Sequence, residues 1–501
     1  MLLDHLELLS LSPQRIHKTQ TILMTRILIT IFLFSAAFNL SAQEWTLERC
    51  VRHALDNNLT IKQAELTSRN AELTVQQNKY DRLPNLGANV NAGYQFGRTI
   101  DPTTNTFNNT RIGFNNLSIN TGVTLFSGSR IKNNIKKSQF DLETAKWDLE
   151  ENKKTIGLNV ATAFLNILLG EEQFGNAQTQ LDLSKDQLER TNRLITVGQL
   201  APNARLDLEA QVARNEQILI DSKNSVDVSY LNLKQLLQLD PGENMVLAFP
   251  EITVEDKALV QDYSIKQVYQ TALLSQPSVA AAESRLSSSH LDENIARSGF
   301  MPTLSASGSL SSIYSSGAPD FDNPNLDNQA FVQQTAAPVI IGGFPTDIAF
   351  FREEGVTFPT KGYSDQVTEN FGQSVGLNLS IPIYSNHRNK INIERARLGV
   401  IGAELANRQT QDRLKIEVQN AVMSFQAARN SYLAADRSLT AAEAAYNDAQ
   451  RRFDLGAINS FELNNAIDNH DIARVELTRA KYQFLFNMKV VEFYLGQGLG
   501  L

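Results

Sequence analysis

The sequence predicts a mainly α-helical fold with a small β part, built from two internal repeats. Three observations support this expectation. Residues 130–196 contain no proline, and the segments LSINTGVTLFSG (117–128) and VGLNLSIPIYSN (375–386) alternate apolar and polar residues. The second segment follows the first by 258 residues, within a longer similarity between the two halves of the chain. Alternation with a period of two is typical of a strand, and long proline-free stretches favour helix.

Residues 1–42 are predicted to be a signal peptide with a short upstream segment. The apolar run ILITIFLFSAAF (27–38) follows Arg26 and leads to Ser41 and Ala42, where cleavage is expected. A run of this length is too short for a membrane-spanning helix. Met24 is a plausible true start, because Asp4 and Glu7 suit the positive leader of a signal badly. We therefore expect an exported mature protein.

The two halves align at two different offsets. ALDNNLTIKQAE (54–65) matches ALLSQPSVAAAE (272–283), which is 218 residues later, whereas LFSGSRIKNNI (125–135) matches IYSNHRNKINI (383–393), which is 258 residues later. The second half therefore carries about 40 extra residues between its strands. The expected domains are a first repeat at 43–237, a connector at 238–262, and a second repeat at 263–501 with a longer surface loop at about 315–372.

Each repeat is expected to contribute a helix, two strands, a very long helix, a turn and a final helix. The four strands are predicted at 86–97, 117–128, 304–314 and 375–386, with apolar residues on one face and uncharged Asn, Ser, Thr, Gly or Gln on the other. Strands of about 10 residues in an exported chain fit a tilted membrane-spanning strand with lipid on one side and water on the other. The residues expected to face lipid are Val90, Tyr94, Ile119, Val123, Leu377, Leu379 and Ile381.

The long helices are predicted to form antiparallel coiled coils. A helix of about 65 residues is near 100 Å long at 1.5 Å per residue. Apolar or small residues recur every seven positions, which keeps one seam of the helix facing a neighbour. These rows are Ile135, Leu142, Leu149, Ile156 and Ala163 in the first repeat, and Ile393, Val400, Leu414 and Ala421, interrupted by Asn407, in the second.

Turns are expected at 197–203 and 455–460, where the long helical hairpins reverse. Gly198 and Gly456 end one helix, and Asn203 or Ser460 begins the next.

Composition excludes several classes of function. The net charge of −8 leaves no basic surface for nucleic acid. The single cysteine, Cys50, is expected to be a buried apolar residue, and the six histidines lack the close spacing of metal ligands. We expect no metal, no cofactor and no enzymatic activity.

Four strands cannot close into a barrel, and an open edge in hydrocarbon leaves unpaired backbone groups. Other copies of the chain must therefore complete the sheet. Two chains would give eight strands around an interior filled by side chains, whereas three would give 12 strands and space for a channel.

The ordered set of features resembles the TolC family of outer-membrane efflux proteins from about Trp45 to Leu495. The resemblance rests on the two repeats, the junctions LFSGSR and IYSNHR, the turns RLITVGQLAPNARLDLEAQ (193–211) and RRFDLGAINSFELNNA (451–466), and the ending ELTRAKYQFLFNMKVVEFYLG (476–496). It implies a homotrimer in the outer membrane of a Gram-negative bacterium. A trimeric α-barrel would cross the periplasm, joined to a 12-stranded membrane β-barrel with four strands from each chain.

The resemblance also implies a channel that conducts small molecules or polypeptides passively in a tripartite efflux or type I secretion system. Its partners would be a periplasmic adaptor and an inner-membrane pump. Residues expected to contact the adaptor are Val197, Gly198, Gln199, Leu200, Leu455, Gly456, Ala457 and Ile458. Asp207 and Glu462 are candidates for a carboxylate gate at the tip, although they occupy different positions after their glycines. The alternative is that both only solvate the start of a helix.

A secreted or periplasmic coiled-coil structural or adhesion protein remains the alternative, with the strands in a small soluble sheet. It explains the heptad rows. It does not explain four matched strands whose polar faces are uncharged.

Overall fold

The computed structural model describes residues 44–100, 105, 107–108, 111–199, 201–248, 259–325, 332–334, 339–341, 344–346, 349–351, 358–458 and 460–497. The expected signal peptide, Leu200 and the middle of the connector lie outside the described residues. The helices are α1 (Leu47–Asn57), α2 (Leu59–Tyr80), α3 (Arg130–Thr196), α4 (Ala204–Leu237), α5 (Ile265–Ser275), α6 (Pro277–Arg297), α7 (Tyr363–Glu369), α8 (Arg388–Asp454) and α9 (Ser460–Tyr494).

Four long strands form one antiparallel sheet, and six short strands form three separate pairs. The long strands are β1 (Asn85–Gln95), β4 (Ile112–Ser127), β5 (Thr303–Ser315) and β10 (Gly372–Ser380), in the order β1-β4-β5-β10. The short strands are β2 (Thr99–Ile100), β3 (Phe107–Asn108), β6 (Val332–Gln334), β7 (Val339–Ile341), β8 (Phe344–Thr346) and β9 (Ala349–Phe351).

The chain folds into two compact units. The helical unit comprises the described residues of Met1–Leu66, Trp147–Val279 and Thr410–Leu501, and the sheet unit comprises those of Thr67–Lys146 and Ala280–Gln409. Among the described helices, none carries a stretch long and apolar enough to span a bilayer.

Two hydrophobic clusters hold the helical unit together, and they are repeats of each other. Cys50, Ala54 and Ile61 lie in the first cluster, and Val268, Ala272 and Val279, each 218 residues later, lie in the second. Three further pairs, separated by 258 residues, are divided between the two clusters in the same way: Ile156 with Leu414, Val160 with Val418, and Ile167 with Phe425. Cys50 is fully buried in the first cluster, which confirms that it packs as an apolar residue. This burial raises the pKa of its thiol to about 12.

The predicted heptad rows face inward. Ile135 and Ile156 are buried on α3, as are Val400, Leu414 and Ala421 on α8. The structure therefore confirms both long helices, and α3 has the predicted bounds.

The two junctions between strand and long helix share one backbone conformation. Gly128 and Ser129 after β4 both have positive φ, at 59° and 68°, and Asn386 and His387 before α8 match them at 51° and 59°. A Cβ on Gly128 would lie 2.4 Å from the Cβ of Met301, so a side chain cannot be placed there without a shift. The similarity of LFSGSR to IYSNHR thus reflects the same turn at both strand-to-helix junctions.

The strand boundaries differ from the sequence expectation. β4 begins at Ile112 rather than at residue 117, and β10 ends at Ser380 although the alternation continues to residue 386. Pro382 has no N–H to donate to a ladder, and a residue before proline is restricted as well. The prediction that Ile381 is a strand residue was therefore wrong.

The segment expected as a surface loop contains α7, which packs against the end of β5. β10 pairs with β5 only as far as Ser311, so residues 312–315 have no strand partner on that side. Gln366, which is 2% exposed, replaces the missing strand: its Oε1 accepts from the Ser315 amide at 2.9 Å, and its Nε2 donates to the Ser315 carbonyl at 2.9 Å. Asn370 Nδ2 donates to the Ile313 carbonyl at 2.7 Å.

We expect Gln366→Leu to expose the Ser315 amide to hydrogen exchange. The apolar side chain leaves two buried backbone groups unsatisfied, each at a cost of about 1–3 kcal/mol. Exchange at Ser315, measured by mass spectrometry, should accelerate. Thr368→Val, on the exposed side of α7, is the control and should leave it unchanged. An equal rate in both variants would contradict this role of Gln366.

Candidate functional site

The register of the sheet assembles one apolar face from all four long strands. Residues directly opposite in an antiparallel pair share a face. Val90 pairs with Leu117, and Ile119 with Leu310. Leu377 pairs with Ala306, which also pairs with Val123, and Leu379 pairs with Leu304. The alternating segments thus form a single surface, as the sequence predicts.

This apolar face is largely uncovered. Val90, Tyr94, Leu377 and Leu379 are between 58% and 72% exposed, and Ile119 is 44% exposed, whereas Val123 is half-buried. A contiguous exposed apolar surface marks a site of contact with protein or membrane. The site residues predicted within the strands therefore lie together, with Ile381 beyond the strand end.

The opposite face is polar but uncharged. It carries Asn89, Asn120, Ser309, Ser374 and Asn378, and the Ser309 and Ser374 hydroxyls lie 2.8 Å apart. None of the four long strands contains Asp, Glu, Lys, Arg or His. One apolar and one polar face without charge is the pattern of a membrane strand beside a watery interior.

Both edges of this sheet are open. Within the described residues, β1 and β10 each pair with one neighbour only and do not pair with each other. All four helical connections leave from one end of the sheet, since β1 and β5 begin there and β4 and β10 end there. At the other end of the sheet, β1 and β5 end and β4 and β10 begin.

The two helix turns in the helical unit have the same hydrogen-bond pattern. At the first, the Gly198 amide donates to the Ile195 carbonyl at 3.0 Å and the Gln199 amide to Leu194 at 2.9 Å. At the second, Gly456 donates to Phe453 at 2.9 Å and Ala457 to Arg452 at 2.8 Å. This is a Schellman motif, and the glycines have φ of 73° and 71° as it requires. The prediction that both glycines end their helices is confirmed.

The helices that follow the two turns, α4 and α9, begin at the expected positions, but without the expected side-chain capping. Asn203 is the N-cap of α4, yet its side chain makes no capping hydrogen bond, and α9 begins at Ser460 itself. Asp207 and Glu462 lie exposed in the first turns of these helices, where the helix dipole favours a carboxylate.

Apolar side chains are exposed at both turns. Val197 and Leu455, predicted as adaptor contacts, are exposed together with Gly198, Gln199, Gly456 and Ala457, whereas Ile458 is half-buried. Leu206 and Phe461, which the sequence reasoning missed, are also exposed in the first turn of each return helix. Each directly precedes one of the acidic gate candidates in the sequence, and this position is the signal that could have identified them. Arg190 lies 5.4 Å above the Phe453 ring and connects α3 to α8 close to both turns.

A half-buried acid pair lies further along α9, and the sequence reasoning missed it as well. Burial raises the pKa of Asp468, and the like charge of Asp471 adds to the effect, whereas Arg214 opposes it. Asp471 lies 3.3 Å from His470 Nδ1, and its Oδ2 is buried without a hydrogen-bond partner among the described residues. Acids three residues apart on a helix share one face, which is the only sequence signal available.

Long helical hairpins and an uncharged, open-edged sheet with one apolar face are the features of a class of membrane channel proteins. Residues 50–238 and 353–497 match the family described as outer membrane efflux protein. The chain belongs to this family.

Relatives and solved structures agree with this assignment. The chain is 23% identical to outer membrane protein TolC of Escherichia coli (strain K12) over 361 residues, which are 69% of this chain and 62% of TolC. TolC of Salmonella enteritidis is 22% identical over the same shares. The chain thus spans less than two thirds of the length of these relatives.

The fold is similar to that of three solved channels. The Campylobacter jejuni CmeC outer membrane channel gives a TM-score of 0.71 at 17% identity, covering 90% of this chain and 85% of CmeC. CusC gives 0.70 at 16% identity, covering 90% and 92%. The open Neisseria gonorrhoeae MtrE outer membrane channel gives 0.68 at 17% identity, covering 90% and 89%. The predicted fold class is confirmed.

We expect Asp468→Asn to stabilise the protein at neutral pH. The folded-state pKa of Asp468 is raised above its ordinary value of 3.8, so the ionised form above that pKa destabilises the folded state. The gain in melting temperature should shrink as pH falls through the raised pKa and vanish below the unfolded pKa. Asp227→Asn, at an exposed carboxylate in the interior of α4, is the control. A gain independent of pH would contradict the assigned cause.

Proposed function

We propose that the chain is the outer-membrane channel of a tripartite efflux or type I secretion system in a Gram-negative bacterium. The observation that carries this proposal is the uncharged sheet, with its apolar face and two open edges, joined at one end to long helices. The family match and the channel folds of CmeC, CusC and MtrE support it.

The edges of the sheet require other copies of the chain. In hydrocarbon each unpaired backbone group costs several kcal/mol, so β1 and β10 must pair with strands of neighbouring subunits. Three copies give 12 strands and a water-filled lumen, whereas two copies give an eight-stranded barrel filled by side chains. The wet, uncharged face of Asn and Ser suits the larger barrel, so the assembly is a homotrimer.

The helices extend the path through the periplasm to an adaptor and an inner-membrane pump. The exposed turns around Gly198 and Gly456 are the adaptor contacts, with Val197, Gln199, Leu200, Leu455, Ala457 and Ile458. The chain conducts small molecules or polypeptides passively and catalyses no reaction. The energy for transport comes from the pump.

Asp207 and Glu462 form the entrance gate in this proposal. Three copies of each carboxylate in a constriction would concentrate negative potential and favour cations. Their exposure in the first turn of α4 and α9 is compatible with such a ring.

The alternative of a secreted coiled-coil structural protein is less well supported. Such a protein would bury the apolar face of its sheet within its own chain. Here Leu377 remains 72% exposed and both sheet edges are open.

We expect Leu377→Arg to impair insertion and assembly in the outer membrane. An arginine facing lipid near mid-bilayer costs about 2–4 kcal/mol. Asn378→Arg is a depth-matched control, because the adjacent residue faces the lumen and should assemble normally. The measurement is the yield of detergent-extracted trimer from outer-membrane fractions. Equal yields from both variants would argue against a membrane sheet.

We expect Glu462→Ala to weaken the block of a reconstituted pore by divalent cations. The substitution removes three carboxylates from the entrance, which lowers local cation concentration. Single-channel conductance with and without Mg²⁺ measures the block. Glu404→Ala, at an exposed carboxylate of the sheet unit, should leave the block unchanged. Unchanged block in Glu462→Ala would remove this residue from the gate.

A further inference from the structure

Basic residues are concentrated at the end of the sheet where all four helical connections leave. The eleven residues that adjoin each long strand at this end are 74–84, 128–138, 292–302 and 381–391, and all belong to the sheet unit. These segments contain nine Lys or Arg and three Asp or Glu, whereas the whole chain has a net charge of −8. This end of the sheet therefore carries a local excess of positive charge in an acidic protein.

Most of these basic side chains have no acidic partner among the described residues. Lys137 Nζ lies 3.6 Å from Asp292 Oδ2, and Arg297 pairs with Glu293 at 2.6 Å. The others are exposed and make no ion pair with a described residue, and we call them the basic belt: Lys79, Arg82, Arg130, Lys132, Lys136, Arg388 and Lys390. Their charge is available to a partner outside the chain.

The opposite end of the sheet shows no such excess within its described residues. There the connections from β1 to β4 and from β5 to β10 carry three basic and four acidic residues. Arg98 and Arg111 lie over aromatic rings, 5.1 Å and 4.6 Å from the ring centres, and Lys361 pairs with Asp322 at 3.1 Å. Of the two ends of the sheet, the one with the helices therefore carries the available positive charge.

The charges of the basic belt do not stabilise the helices that carry them. Arg130 and Lys132 lie in the first turn of α3, Arg388 and Lys390 lie in the first turn of α8, and neither turn contains an acidic residue. The dipole at the start of a helix favours acidic side chains and disfavours cations. The same placement occurs in both repeats, since the two pairs are 258 residues apart. An anion bound from outside would offset this unfavourable interaction.

Exposed apolar side chains accompany the basic belt. Six of them lie in the same four segments and are between 50% and 94% exposed: Tyr80, Leu83, Phe300, Met301, Ile383 and Tyr384. Basic residues beside exposed aromatic and aliphatic side chains are typical of the boundary between the hydrocarbon and the headgroups of a bilayer. An acidic protein surface would not require these apolar neighbours.

The basic belt lies at the level where the sheet leaves the hydrocarbon. β1 and β10 are 11 and 9 residues long, which is about the length of a strand that spans a bilayer. The start of α8 is fixed beside the end of α6, because Asn389 Nδ2 donates to the Gly299 carbonyl at 2.6 Å. The ion pair of Lys137 with Asp292 holds α3 beside the same helix. Residues just beyond the strand ends therefore lie close to lipid headgroups.

We propose that the basic belt binds the phosphate groups of anionic phospholipids in the leaflet on the helix side of the membrane. This contact rests on the proposed function and extends it, because it names the class of lipid that surrounds this end of the barrel. Guanidinium and ammonium groups donate charge-assisted hydrogen bonds to phosphate. Basic residues near a membrane surface attract anionic lipids over about a Debye length. The exposed apolar side chains contact the adjoining acyl chains.

The test measures which lipids the full-length protein retains. The purified protein is reconstituted into bilayers of phosphatidylcholine with a minority of phosphatidylglycerol and is then extracted in a mild neutral detergent. Mass spectrometry gives the ratio of the two lipids that remain bound. For the wild-type protein this ratio should favour phosphatidylglycerol several-fold over the bilayer, and the preference should fall at high salt because salt screens exposed charges.

A variant without four charges of the basic belt should retain the two lipids in the ratio of the bilayer. Its substitutions are Arg130→Gln, Lys132→Gln, Arg388→Gln and Lys390→Gln. The matched control removes four exposed lysines of the helical unit and should keep the preference: Lys62→Gln, Lys223→Gln, Lys266→Gln and Lys415→Gln. If the first variant does not assemble, its α3 pair and its α8 pair are tested separately, and each should lose part of the preference.

The outcomes separate the lipid contact from the proposed function. Equal preference in the variant and the control, or no preference in the wild-type protein, would overturn the contact. Binding of soluble polyglutamate to the wild-type protein but not to the variant, without a lipid preference, would assign the basic belt to an acidic protein and overturn it as well. A trimer that conducts ions but shows no lipid preference leaves the channel intact. A protein that is soluble without detergent would contradict both proposals.

Discussion

The open edges of the four-stranded sheet are the constraint on which the other features depend. β1 and β10 present rows of backbone N–H and C=O groups without a partner strand among the described residues. Such edges are tolerated in water only when they are short, charged or covered, and these are 11 and 9 residues long and uncharged. Their sequence makes sense if the final partner is another copy of the same sheet.

The backbone groups at the end of β5 also lack a strand partner on one side, but side chains of the same chain bind them. This difference supports the interpretation that the outer edges pair with another copy. Beyond Ser311, β5 lacks β10 as a partner, and there the buried Gln366 and the nearby Asn370 supply side-chain hydrogen bonds instead. The described residues thus satisfy the internal edge locally and provide no partner strand for the two outer edges. Both side chains belong to the connection between β5 and β10, which is longer than the corresponding connection between β1 and β4. The outer edges therefore remain available for pairing, whereas the inner edge does not.

The sequence predicted the long helices and the repeats well because both depend on signals summed over many residues. The bounds of α3 follow from a long stretch without proline, and the repeat appears again in the core, where Cys50 and Val268 occupy equivalent positions. The shared apolar face of the strands could be predicted from alternation alone, and that this face contacts lipid stays a prediction. The end of β10 was missed because alternation continues through Ile381 and Ile383, although Pro382 interrupts the ladder.

The remaining misses arise from contacts between distant parts of the chain. α7 has seven residues, too few to show a helical period, and the burial of Gln366 depends on a strand about 50 residues earlier. The pKa of Asp468 is raised by burial against other parts of the chain and by Asp471, and Arg214, which lies in the other repeat, partly opposes this rise. In both cases the sequence contains the residues, but only the fold shows which of them lie together.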